Sequence, residues 1–247
     1  MGLEGHIALV TGGGGQGMGR SIALTLARDG ADIVLNYRKS RERADENVAL
    51  IEAMGRRALA VHADVTVPAD VEAMFLSAAE RFGNVDIVVN NAGGPWKPQD
   101  VTDITPEHLR RVLAGEIEAT YHLLRSALPD MRARRWGRFV SIGGYMADDW
   151  RFGPPEAPLD YPLGKAARHW LTRTLAPIEF PRGITINAVA PGPTPRMTHD
   201  EALSAVQGDR RAANTPQDVA EVVAFLCSDA GARVTGAVVP VPGSRPV

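Results

Sequence analysis

Short apolar runs rich in β-branched residues alternate along this chain with longer stretches whose apolar positions recur at helical spacing. Residues 6–11 form the first such run and stop at a cluster of glycines, which reads as a buried strand entering a turn. Between residues 18 and 28, Met18, Ile22, Leu24, Leu26 and Ala27 recur broadly at helical spacing, with Gly30 placed as a terminator. The same reading predicts strands over 33–36, 58–61, 85–89, 138–142, 184–189 and 237–241. It predicts helices over 43–54, 68–81, 107–128, 161–180 and 216–226. Such alternation builds a sheet covered by helices on both faces. The expected fold is α/β, a doubly wound and mostly parallel sheet of seven strands. No repeat, low-complexity tract or linker interrupts it, so one domain over 1–247 is expected. Pro154, Pro155 and Pro158 mark an excursion between strand and helix, where ligand-facing loops are commonly placed.

Composition narrows the function classes. The 247 residues suffice for one sizeable core, and 45% apolar content is ordinary for a globular protein. Lys plus Arg number 27 against 29 for Asp plus Glu, a formal charge of -2, so there is no broad field to gather nucleic acid or an anionic membrane. Cys227 is the only cysteine, which excludes an intrachain disulfide and suits a reducing compartment. The first ten residues carry Glu4 and His6 and no apolar run of signal or membrane length. A cytoplasmic enzyme with a small-molecule substrate is therefore expected, and no metal ligands are singled out.

The glycine cluster carries the first chemical signal. Gly12, Gly15, Gln16, Gly17, Met18 and Gly19 lie between the first strand and the first helix. Glycine permits the backbone angles of a tight turn and a close approach by a pyrophosphate, whose charge the helix N-terminus favours. A ligand-free flexible turn is the bland alternative, and placement in a βαβ unit argues against it.

Several ordered segments extend this signal: Asp64-Val65, Asn90-Asn91-Ala92-Gly93, Tyr161 to Lys165, and Asn187-Ala188-Val189-Ala190-Pro191-Gly192. With the glycine turn, they make the chain resemble the short-chain dehydrogenase/reductase family over almost its whole length. The likeness is to the three-oxoacyl-carrier-protein reductase and polyketide ketoreductase branches, with an atypical active site. The resemblance implies a Rossmann-type domain whose glycine turn holds the cofactor pyrophosphate. It further implies that Asp64 and Val65 meet adenine, and that Asn91, Ala92 and Gly93 support the nucleotide and central sheet. Asn187, Pro191 and Gly192 would close the cofactor side, and the assembly would be a homotetramer. Four residues separate Gly12 from Gly17, one more than the family's usual three.

Arg38 follows the second strand. A guanidinium there could engage a ribose phosphate, whereas an acidic residue would favour the free hydroxyls of NAD, so NADP(H) is preferred over NAD(H). A solvated basic turn is the plain alternative. Tyr161 and Lys165, four apart at a helix start, can share one face. An ammonium beside a phenol favours its ionised form and lowers its pKa, which would let Tyr161 move a proton during hydride transfer. The resemblance gives Lys165 a second role on the cofactor ribose.

The rest of the expected constellation is rewritten. Gly144 stands where the family places its substrate-orienting serine, and a glycine offers no hydroxyl to polarise a carbonyl. Ser141 is the nearest hydroxyl in sequence, although an odd displacement along a regular strand turns it to the opposite face. Tyr145, Asp148 and Asp149 are alternatives. Glu116 occupies the place of the family's asparagine, which helps a water chain reach the lysine. It could pair with Lys165 and partly undo that lysine's effect on the phenol, or sit exposed on a polar helix turn. Thr194 is the nearest hydroxyl for the nicotinamide amide, and residues 193–215 are expected to cover the substrate. Trp96, Tyr145, Trp150 and Met197, with Phe152, could line an apolar pocket, though isolated apolar residues more often serve core or interface.

Two functions follow. The first is NADP(H)-dependent reduction of a ketone or related C=O or C=N bond, with Tyr161 as proton donor. The second is a nucleotide-binding non-redox lyase or cyclase, or a non-catalytic regulatory protein, on the same fold.

Overall fold

The computed structural model describes residues 2–94, 100–148, 159–206 and 214–243. Within these, seven strands form one parallel sheet in the order β3-β2-β1-β4-β5-β6-β7. The strands are β1 (Ile7–Val10), β2 (Asp32–Tyr37), β3 (Ala58–His62), β4 (Ile87–Asn90), β5 (Gly137–Ile142), β6 (Ile184–Pro191) and β7 (Val238–Val241). The helices are α1 (Met18–Arg28), α2 (Arg41–Ala53), α3 (Pro68–Phe82), α4 (Pro106–Leu113), α5 (Ala119–Arg134), α6 (Asp160–Glu179), α7 (His199–Val206) and α8 (Pro216–Cys227). The strand order reverses between β1 and β4, so a crevice opens at their carboxyl ends, where doubly wound sheets bind ligands.

Near-continuous apolar strands arise because both sheet faces are covered. In β1, Ala8 and Val10 pack into the cluster containing α1 and α8, while Ile7 and Leu9 enter the cluster on the α3 and α5 face. The period of two repeats in β4, with Ile87 and Val89 on one side and Val88 on the other. Burial of each such side chain contributes roughly 1.5–3 kcal/mol, so these short central strands are held mainly by their two faces.

One predicted element is broken in two. The stretch read as a single helix over 107–128 is α4, then a π-helical turn at Ala114–Glu118, then α5. A π turn inserts an extra residue into the helical ladder. Here it sends Glu116 inward to full burial, which overturns the exposed alternative for that side chain. Helix α7 was not anticipated and lies inside the segment expected to cover the substrate. No helix among the described residues is long and apolar enough to cross a membrane.

Candidate active site

Thr11 ties the glycine turn to the end of β4. Its hydroxyl donates to Val89 O and accepts the N–H groups of Asn91 and Ala92, while Asn91 Nδ2 donates to Thr11 O at 2.8 Å. Within the turn, Gly13 packs against β2, and Gly14 tucks down onto β2 and α2. Gly14 N donates to Asn36 O, and Asn47 Nδ2 reaches the carbonyls of Gly13 and Gly15 at 3.0 and 3.2 Å. A side chain at Gly14 would place Cβ 2.5 Å from Tyr37 Cβ. Gly17, at φ 107, then turns the chain into α1, whose first turn carries no acid and no side-chain cap.

A cleft of about 1010 Å³ opens above this turn. Gly12, Gly15, Gln16, Gly17, Met18, Gly19, Asn91, Ala92, Gly93, Gly144, Tyr145, Tyr161, Lys165, Pro191, Gly192 and Thr194 all line it. The turn fits a dinucleotide pyrophosphate: the uncapped start of α1 lines the cleft, and a Cβ at Gly19 would come 2.5 Å from Gly12 O. Gly192 is equally tight, since a Cβ there would lie 2.5 Å from Pro242 O.

Several expected residues stand elsewhere. Arg38 is turned onto Asp64, 3.4 Å away, and neither lines the cleft. Asp64 is further occupied by Thr66, whose N–H and hydroxyl donate to it at 3.0 and 2.7 Å, and Val65 packs into the core. The basic and hydroxyl groups that do line that end are Ser40 and Arg43, which the sequence reading missed. Their signal was position, at the N-terminal turn of the helix after β2. Asn187 does not face the cleft, because its side chain bonds Val234 O and Ala237 N to fasten β6 to the segment before β7. Ser141 is buried in β5 and absent from the lining, as its odd displacement implied. Met197 likewise does not line the cleft. Trp96, Asp149, Trp150, Phe152, Pro154, Pro155 and Pro158 lie outside the described residues.

The chemical end is built by charge. Lys165 Nζ lies 5.4 Å from the Tyr161 ring centre and donates to Ile142 O at 3.2 Å. Glu116 Oε1 accepts the Gly94 N–H at 3.0 Å, while Oε2 sits 3.1 Å from Lys165 Nζ and 2.8 Å from Arg168 Nε. These last two are charge contacts rather than aligned hydrogen bonds. Arg168, fully buried at 0% exposure, was not anticipated. Its guanidinium donates to Asn90 O, Ile142 O, Ala92 O, Gly115 O and Glu116 O, joining the ends of β4 and β5 to the π turn.

These contacts set the protonation states. Burial alone would raise the Glu116 carboxyl, but Lys165 and Arg168 outweigh it and hold the group below its ordinary value. Lys165 is pulled down to about 8 by burial and then by Arg168, against the pull of Glu116. Tyr161 is pushed up to about 12, by burial first and then by Glu116. The expected lowering of the phenol is therefore reversed, by burial first and by the buried carboxylate second.

Two further relays fix the frame. Asp160, at the start of α6, accepts the Tyr161 N–H at 2.9 Å and His108 Nε2 at 2.8 Å, and His108 Nδ1 accepts from Arg111. Asp148 turns to His169 Nδ1 at 2.9 Å and to Arg173, so it is committed to α6 and absent from the cleft lining. His169 Nε2 accepts the Gly144 N–H at 3.4 Å, which assigns the ring proton to Nδ1. Burial, the leading influence, lowers the His169 pKa and keeps the ring neutral. Among the described residues, no group of three or more His, Cys, Asp or Glu could hold a metal ion.

The family model described as enoyl-(acyl carrier protein) reductase matches residues 13–243. The chain belongs to the short-chain dehydrogenase/reductase family. It is 34% identical over 262 residues to the hydroxynaphthalene reductase-like protein of Metarhizium guizhouense, covering 98% of this chain and 95% of that relative. Tetrahydroxynaphthalene reductase of Pyricularia oryzae is also 34% identical, over 98% of this chain and 89% of its own length. Among solved structures, a short chain dehydrogenase from Burkholderia cenocepacia in complex with NADP has 36% identity, TM-score 0.83 and 98% coverage of both chains. A blue fluorescent protein from a metagenomic library, in complex with NADPH, has 32% identity, TM-score 0.86 and 99% coverage of both. This short-chain dehydrogenase/reductase is thus an oxidoreductase of the reductase type.

Proposed function

We propose that this short-chain reductase uses NADP(H) to reduce a ketone or related C=O or C=N bond, with Tyr161 as proton donor. The observation that carries the reading is the convergence of Tyr161 and Lys165 on the cleft into which the glycine turn opens. NADPH, when bound, supplies the hydride. Tyr161, raised to about 12, stays protonated at neutral pH and is poised to give its proton to a substrate oxygen. The reverse direction would require the phenolate as base. Lys165 is mostly charged below about 8 and stabilises the phenolate that forms. Ser40 and Arg43, on the cleft wall, supply a hydroxyl and a guanidinium for the 2′-phosphate of NADP, the role first read for Arg38.

Two relatives are named for hydroxynaphthalenes, so we infer that a hydroxylated aromatic carbonyl compound is the first substrate class to try. Residues 193–215 would cover it, with Tyr145 on the lining. A homotetramer is the expected assembly, supported by Tyr121 on α5 and by Trp170 and Ile178 on α6, all exposed. The cytoplasm is the expected compartment, supported by the lone buried thiol Cys227.

The second reading, a non-redox lyase or cyclase or a regulatory binder, draws on Gly144, which leaves a substrate carbonyl without the usual hydroxyl. One experiment separates the two: NADPH loss measured over a panel of hydroxynaphthalenes, quinones and ketones, with Tyr161→Phe beside the parent. Tyr161→Phe should lower turnover about 10²-fold or more, the scale of general acid catalysis. Unchanged turnover would remove Tyr161 from the mechanism, and product formation without NADPH loss would favour the second reading.

A further inference from the structure

A carboxylate placed against the one lysine of an active site should be harmful, since the pair sums to zero charge beside the phenol that the lysine serves. Glu116 is nevertheless accommodated with care. A Cβ at Gly93 would come 2.5 Å from Glu116 Oε1, and a Cβ at Gly164 would come 2.6 Å from Glu116 Cγ. Both neighbours are glycine, and the π turn aims the side chain between them. Arg168 Nε meets the same carboxylate oxygen as Lys165 Nζ, and a guanidinium keeps its proton at any relevant pH.

We propose that Arg168 is a positioning residue that offsets Glu116, so that the buried set Glu116, Lys165 and Arg168 keeps one net positive charge beside the Tyr161 phenol. The proposal rests on the reductase reading of Tyr161 and Lys165. One negative and two positive charges sum to the +1 that Lys165 alone would supply beside a neutral residue at 116. The directions agree: Arg168 lowers the Tyr161 pKa and Glu116 raises it. A charge sharing its site with five backbone carbonyls also satisfies the hydrogen-bond demand of a fully buried guanidinium, which would otherwise be prohibitive.

The groups facing Lys165 are few. Helix α6 contributes Tyr161, Arg168 and His169, the π turn contributes Glu116, and the ends of β4 and β5 present carbonyls. Asp148, on the turn after β5, is paired with His169 and Arg173.

The test is a pH titration of the cofactor-free protein with ¹³C-labelled lysine, followed by NMR at the side-chain ε-carbon. The chain has three lysines, Lys39, Lys97 and Lys165, and the Lys165 resonance is assigned by its loss in Lys165→Arg. Arg168→Met should raise the Lys165 midpoint, and Glu116→Gln should lower it, each by about one pH unit or more, a tenfold change in protonation. Glu116→Gln with Arg168→Met should return it toward the parent. In parallel, the alkaline limb of kcat for NADPH-dependent reduction of the best panel substrate should move with each midpoint. Arg168→Met should lose about tenfold in plateau kcat with KM little changed, an effect of about 1.4 kcal/mol on the barrier.

A stability loss in Arg168→Met without movement of the Lys165 midpoint would reduce Arg168 to a structural part and overturn the proposal. Should Arg168→Met fail to fold, Glu116→Gln and the double variant still decide: a midpoint that does not fall and then recover overturns it. Absence of NADPH turnover in the parent would strike at the reductase reading, while the midpoint shifts would stand or fall separately.

Discussion

The two ends of the cleft are made from different materials. At the nucleotide end, Thr11, Asn36, Asn47 and Asn91 hold the glycine turn through neutral hydrogen bonds to backbone groups, and the turn's glycines line the cleft. At the chemical end, Glu116, Lys165 and Arg168 meet out of water, with Asp148, His169 and Arg173 behind them. A backbone cradle tolerates an extra residue, because Gly13 and Gly14 can be tucked against β2 without disturbing what faces the cleft. A buried charge cluster has no such slack. One charge cannot be altered there without a partner, since an uncompensated ion in the interior costs several kcal/mol.

The strongest way to break this contrast is Glu116→Leu. It leaves Lys165 and Arg168 buried side by side without a counter-charge, and the loss expected is about 3–5 kcal/mol in denaturant unfolding. An unchanged unfolding midpoint would show that the cluster is not electrostatically tight. The parent should show a matching pH signature. Because the folded state holds Lys165 at about 8, well below an ordinary lysine, the unfolded chain binds more protons above that pH. The Lys165 contribution to stability therefore rises as pH climbs from about 8 toward the ordinary lysine range, while reductive turnover falls over the same window. The Glu116 contribution has the same sign at the acid end. Its carboxyl is held low in the fold, so the stability it adds is present above the ordinary carboxylate range and lost as pH falls through the folded value. Lys165→Met should abolish the alkaline rise, as read by thermal denaturation across pH.

Gly19→Ala probes the other end. Its Cβ would meet a backbone oxygen, Gly12 O, at 2.5 Å and Asn91 Nδ2 at 2.7 Å, so the turn itself must move. Overpacking of this kind costs about 1–3 kcal/mol. The larger consequence should be weak NADPH binding by calorimetry, with the Lys165 titration unchanged. A shift of that titration would mean that the two ends are coupled, contrary to the comparison.

This division also explains what could be read from the chain. The alternation of strands and helices, the glycine turn and the Tyr161–Lys165 spacing are local patterns, and each demands a particular backbone or one helix face. Compensation across elements leaves no such mark. Arg168 lies three residues beyond Lys165 on the stripe formed by Gly164, Lys165, Arg168, Thr172, Ala176 and Glu179, all buried. An arginine on that stripe was the available clue, but only the π turn shows what it meets. Periodicity smooths over a π turn, so 107–128 read as one helix, and Glu116 kept an exposed alternative. At the nucleotide end, Arg38 was drawn by its position after β2, yet Asp64 lies across the sheet edge and competes for it.

A smaller effect should come from Gly144→Ser, which returns a hydroxyl to the chemical end. The new Cβ would lie 3.2 Å from Lys165 Cγ and 3.5 Å from Ala147 Cβ, so side chains need shift by only a few tenths of an ångström. Removing a prepared donor from such a site costs about 10²–10³ in rate, and an unprepared one should return a fraction of that, about tenfold in kcat. A fall in kcat, with stability unchanged, would show that the substrate needs the space above Gly144 rather than a hydroxyl there.

The finest distinction separates two arginines at the nucleotide end. Arg43 lines the cleft, whereas Arg38 is exposed and spends its charge on Asp64 at 3.4 Å. Arg43→Ala should weaken NADPH binding about tenfold or more, the scale of a hydrogen bond to a charged group, and leave NADH binding almost unchanged. Arg38→Ala removes only a solvent-screened pair and should change stability by less than about 1 kcal/mol. Asp64 retains the N–H and hydroxyl of Thr66, so its loop has little reason to move. Binding of NADPH to Arg38→Ala should consequently stay within about twofold of the parent, less than 1 kcal/mol on the affinity scale. The reverse ranking, with Arg38→Ala the more damaging for NADPH and neutral for NADH, would mean that the nucleotide draws Arg38 away from Asp64 on binding. Arg38 would then take the part credited to Arg43.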